Sequence, residues 1–122
     1  MKEDRMRSAL PIFLLFAAPA VADPPVISDA SLAPSGAGFR VDVTLLHPDS
    51  GWDHYADGWE VLAPDGTRLG FRELLHPHVN EQPFTRSLSG IAIPDGIGSV
   101  TIRARCNVDG WAAEKVDMVI PR

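Results

Sequence analysis

Apolar and polar residues alternate most regularly over 39–46, where Phe39, Val41, Val43 and Leu45 are separated by Arg40, Asp42 and Thr44. A period of two with one apolar face predicts a half-buried strand. The same alternation returns at 100–106, with Val100, Ile102, Ala104 and Cys106 on one face and Thr101, Arg103 and Arg105 on the other. Shorter or more mixed stretches predict strands at 26–32, 58–63, 69–75, 84–93 (broken near Gly90) and 116–120. Between them stand Pro34-Ser35-Gly36, Pro64-Asp65-Gly66 and Pro94-Asp95-Gly96, strong turn signals because Pro presets φ and Gly supplies positive φ. No window after residue 22 keeps helical spacing. Seven short strands with turns at regular intervals predict an all-β antiparallel sandwich.

The start of the chain carries a different pattern. Lys2, Arg5 and Arg7 form a basic opening, diluted by Glu3 and Asp4, before an apolar run over 12–18 and the small-residue triplet Ala20-Val21-Ala22. This predicts a secretory signal peptide at 1–22, with cleavage leaving Asp23 first. The apolar run is too short to cross a bilayer about 30 Å thick. No cysteine sits at the cleavage point, so a lipoprotein is not expected. The mature domain, 23–122, is then one sandwich of 100 residues, with no further membrane span, in the periplasm or the medium.

Charge and cysteine content narrow the classes. The net charge of −5 becomes −6 once the signal is removed, which disfavours nucleic acid because phosphate contact needs a basic surface. Export means an oxidising compartment, yet a single cysteine forms no internal bridge, so packing must hold the core unless a metal helps. Cys106 is therefore a buried small apolar residue, a ligand, or a link between two chains, and the expected assembly is a monomer or weak dimer.

With Trp59 in the third strand, the strand series resembles immunoglobulin-like and fibronectin III-like sandwiches. The segment from His76-Pro77-His78 through Glu81-Gln82-Pro83-Phe84-Thr85-Arg86-Ser87 is similar to uncharacterised exported bacterial proteins. The resemblance implies a fold and no activity. The disulfide of antibody domains has no counterpart, because the second strand lacks a cysteine. An immunoglobulin-like order would bring the loops 47–57, 76–83 and 106–114 to one pole. Those loops hold all four histidines and the cysteine.

Such a pole supports three readings. The first is a transition-metal site for zinc or copper, since neutral imidazole and thiolate are ligands for both. His76 and His78 are the leading ligands: two residues apart on an extended segment, they point the same way. His47 is third, because it continues the inward parity of its strand, and His54 or Cys106 completes the set. The spacing fits no standard metal motif, and the mature chain's one methionine, Met118, lies on the last strand, away from where a blue-copper site would want it. The second reading is metal-free recognition of a protein or glycan through Trp52, Tyr55 and Trp111, with Asp53 and Glu81 beside them. The same tryptophans could instead fold over the core as a lid. The third is a small hydrolase using Asp53-His54, or Asp49 with Asp53, together with Ser50, Ser87 or Cys106; no Gly-x-Ser-x-Gly elbow or phosphate loop supports it. Asp49, Asp53 and Asp57 also suit turns and local capping, Trp59 suits the core, and Arg103 and Arg105 suit a solvated face paired with acids. The expectation is a non-enzymatic exported binding module.

Overall fold

The computed structural model describes residues 23–122, so the expected signal peptide at 1–22 lies outside the described residues. Eight strands follow in order: β1 (Val26–Ser35), β2 (Gly38–Leu46), β3 (Ala56–Leu62), β4 (Arg68–Glu73), β5 (Phe84–Ile91), β6 (Ser99–Cys106), β7 (Gly110–Trp111) and β8 (Val116–Val119). No helix occurs among the described residues. One sheet has the order β1-β2-β5; the other has the order β4-β3-β6-β7, with β8 also pairing with β6. Every pairing is antiparallel. The all-β sandwich expected from the alternation is the one found, with one strand more than the seven. The extra strand, β7, is two residues long and folds back on β6 through the pairs Arg105–Trp111 and Cys106–Gly110. Gly110 has φ of 75°, a left-handed conformation that a β-carbon would strain, and it makes this reversal possible.

The two sheets meet over the faces that the alternation marked. Val41, Val43 and Leu45 of β2 are fully buried against Trp59 and Val61 of β3 and Ile102 and Ala104 of β6. On β2's outer face Asp42 accepts hydrogen bonds from Arg40 and Ser87, and Thr44 meets Thr85. Burying apolar area at roughly 25 cal/mol per Å² gives the sandwich its main driving force.

The outer face of the second sheet is organised by charge. Glu60 is buried and accepts from Arg68 at 2.8 Å and Arg103 at 2.5 Å, while Arg105 donates to Asp57. The expected pairing of Arg103 and Arg105 with acids is therefore present. Trp111 lies over these guanidinium groups, with that of Arg103 4.5 Å from its ring centre.

Register decides which loops share an end. The turns after β1, β3 and β5 lie at one end; the loops after β2, β4 and β6 lie at the other. At that second end β3 carries an extra residue, Asp57, between the pairs Ala56–Cys106 and Gly58–Arg105. Bulges of this kind recur beside sites because they re-aim the chain locally. Here the bulge leaves Ala56 directly opposite Cys106.

Candidate functional site

The second end of the sandwich is built around one carboxylate. Asp49 follows β2 by three residues, and its side chain is fully buried. Its Oδ1 accepts from the Ala56 amide at 2.9 Å and lies 2.5 Å from His47 Nδ1; its Oδ2 accepts from the His78 amide at 2.8 Å. One side chain thus ties the end of β2, the start of β3 and the loop after β4. Gln82 reinforces the same joint, accepting from the His47 amide and donating to the His78 carbonyl. Asn107 fastens the third loop: its Oδ1 accepts from the Tyr55 amide, and its Nδ2 donates to the carbonyls of Trp52 and Asp53.

His47 keeps the inward parity of β2 and is 1% exposed. In the neutral tautomer that donates from Nδ1 to Asp49, Nε2 is the acceptor atom. That atom is buried and has no hydrogen-bond partner among the described residues. A buried polar atom left unpaired is costly and calls for an explanation.

Two further donor atoms lie close by. His47, His54 and Cys106 each offer a donor atom, and the three donors lie within 4.8 Å of one another. His54 Nε2 is 3.6 Å from Cys106 Sγ, and the rings of His47 and His54 meet edge to face at 4.8 Å. Cys106 is fully buried at the end of β6 and accepts the Asp109 amide at 3.2 Å. Asp109 Oδ2 is 3.6 Å from the sulfur and 3.9 Å from His54 Nε2, and it accepts from the Asp23 backbone nitrogen at 3.2 Å. Two imidazoles and a thiol are donors of the kind that could hold a transition metal. The Asp49–His47 hydrogen bond fixes the orientation of the His47 imidazole, the kind of outer contact that metal-binding histidines commonly carry.

The other expected site residues fall around this group. His76 and His78 do point the same way, with ring centres 4.6 Å apart, but they form a pair of their own. His78 stacks on Phe84 at 3.9 Å, and Arg86 donates to its Nε2 at 2.9 Å. Glu81 meets the same Arg86 at 3.3 Å. Trp52 is 65% exposed and touches Tyr55 edge to face, so it does not close over the core as a lid. Asp53 is exposed, its carbonyl held by Asn107. Trp111 was expected at this pole with Trp52 and Tyr55. It lies instead on the outer face of the second sheet, because pairing in β7 turns it toward Arg103 and Phe71. The role of Asp49 as the hub of three loops had no counterpart in the sequence reading, nor did that of Gln82. A buried polar residue shared by loops distant in sequence leaves no periodic signal.

His78 has a pKa below the ordinary 6.5, first because burial disfavours the imidazolium, then because of the Arg86 guanidinium and His76 beside it. The folded domain therefore holds His78 neutral where an unfolded chain would bind a proton. The resulting stability is present above the ordinary histidine pKa and is lost as pH falls from there through the depressed folded value. Urea midpoints at about pH 7.5 and about pH 5 should differ, and His78→Gln should shrink the difference. An unchanged difference in the variant would move the effect to other groups.

An open groove of about 560 Å³ is lined mainly by Pro24, Pro25, Val26, Leu46, Pro48 and Ala112. Its walls carry no histidine or cysteine.

No protein-family profile matches the chain, and no solved structure matches it. A protein of Halomicrobium mukohataei described as a "Putative lipoprotein" is 43% identical over 79 residues, which is 65% of this chain and 38% of that protein. The chain thus matches well under half the length of this relative. Among the described residues no helix is long and apolar enough to cross a membrane.

Proposed function

We propose that this chain is an exported, non-enzymatic binding module that holds one zinc or copper ion between His47, His54 and Cys106. The observation that carries this reading is the buried Nε2 of His47, an unpartnered donor beside a second imidazole and a thiol. Export is supported by the signal-like opening of the sequence and by the description of the relative as a lipoprotein. The periplasm or the outer face of the envelope is the matching compartment. His76 and His78, the leading ligands on sequence grounds, give way to the group of three, because Phe84 and Arg86 already occupy His78.

The test is elemental analysis of untagged protein purified without chelator. About one zinc or copper per chain is expected. His54→Ala and Cys106→Ser should each lose it, and the double variant His76→Ala with His78→Ala should keep it. Protein that arrives without metal and takes up none on titration would overturn the proposal.

A second reading rests on the exposure of Trp52 beside Tyr55, a rigid aromatic pair suited to a protein or glycan partner. The two readings separate cleanly, because Trp52→Ala should leave metal content unchanged.

A further inference from the structure

We infer that Asp109 is the fourth ligand of this site, and that its oxygen makes the site one for a divalent, zinc-like ion rather than for Cu(I). The inference rests on the metal-binding reading above and goes beyond it in naming a residue and an ion class.

The argument is geometric first. Tetrahedral zinc, with bonds of about 2.0 Å to nitrogen or oxygen and about 2.3 Å to sulfur, places N and S donors about 3.5 Å apart and N and O donors about 3.3 Å apart. His54 Nε2 and Cys106 Sγ are 3.6 Å apart. Cys106 Sγ and Asp109 Oδ2 are also 3.6 Å apart, and Asp109 Oδ2 and His54 Nε2 are 3.9 Å apart. Three edges of a metal-sized tetrahedron therefore stand within about 0.6 Å of their bonded lengths. The fourth donor would come from His47, whose ligand atom lies within 4.8 Å of those of His54 and Cys106, and whose Nε2 is buried and unpartnered; its imidazole would have to close up to reach a bonded corner. His54 and Asp109 are part-exposed, with side chains at 23% and 27%, so an ion can enter from their side while His47 and Cys106 form the floor.

The chemistry follows from the fourth donor. Two imidazoles and a thiolate alone satisfy a three-coordinate soft ion. Adding a carboxylate oxygen brings in a hard donor that suits Zn²⁺ and gains little for Cu(I). Asp109 is also held in place. The Asp23 backbone nitrogen, which would be the terminal amino group after the expected cleavage, donates to the same Oδ2, and ligating carboxylates are commonly fixed by such an outer hydrogen bond. The short turn from Cys106 to Gly110 sets the spacing, because Asp109's own amide is bound to the sulfur.

The experiment measures Zn²⁺ and Cu(I) affinities by competition with chromophoric chelators, for the wild type, Asp109→Asn and Asp109→Ala. If Asp109 is a ligand, both variants lose at least about tenfold in Zn²⁺ affinity and keep Cu(I) affinity within about threefold. The Co²⁺-loaded protein gives a readout that a merely structural role would not move: its visible absorption should change when the oxygen is removed. Metal-free melting temperatures check that both variants fold. Unchanged Zn²⁺ affinity and an unchanged Co²⁺ spectrum would overturn the assignment of Asp109 while leaving the metal site standing. A wild-type protein that binds neither ion would overturn the metal reading itself, and this inference with it.

Discussion

Replacing Asp49 by alanine should lower the stability of the metal-free domain by roughly 3–5 kcal/mol, the range for breaking a buried, hydrogen-bonded charge network. The carboxylate accepts from His47 Nδ1, the Ala56 amide and the His78 amide, all in a fully buried setting. Alanine leaves three buried donors without an acceptor, and each unsatisfied group costs about 1–3 kcal/mol. A domain of this size loses about 4–8 °C of melting temperature per kcal/mol, so a fall of roughly 12–40 °C is expected. Since whole-domain stability is commonly about 5–15 kcal/mol, the variant should sit close to unfolding at ambient temperature. Asp49→Asn should fall between, because one amide oxygen remains while the new NH₂ faces groups that are themselves donors. Thermal unfolding followed by circular dichroism settles the matter. A fall of only a few degrees for Asp49→Ala would mean that the three loops are held by packing and not by this carboxylate.

Zinc should move the melting temperature in the other direction. An ion that binds only the folded chain stabilises it by about 2.7 kcal/mol at a hundred times its Kd, an increase of roughly 10–20 °C for a domain of this size. The gain should rise with free metal, reverse with chelator, and vanish in Cys106→Ser, where a poor ligand replaces the thiol. It should survive in the double variant of His76 and His78, whose rings lie against Phe84 and each other. Equal loss of the gain in both variants would show that the pole acts as one structural unit and that the ligand set has not been separated from its supports.

The parts of the molecule legible from sequence are those with a period. The alternation in β2 and β6 carries past Leu45 to His47 and ends on Cys106, and both are as buried as their parity requires. Their meeting at one end of the core follows from that parity and from the strand order. That His76 and His78 lie side by side was legible from their two-residue spacing, although the chain bends at His76 and is not extended there. What the two rings face was not, since Phe84 and Arg86 belong to another strand. Trp111 was misplaced for a related reason. Only two residues of β7 pair with β6, too few for any alternation, and their register alone decides which face the ring takes. Asp49 was read as a turn carboxylate between Pro48 and Ser50; its burial comes from three segments converging in space.

Full burial of Cys106 has a kinetic consequence. The chain's one thiol is 0% exposed, so an alkylating reagent can reach it only while the pole is open. With reagent in excess and reclosure fast, the labelling rate counts the fraction of time the loops spend apart, without any added probe. That makes the native cysteine a clock for local opening at this end of the sandwich, read by mass spectrometry on the unmodified sequence.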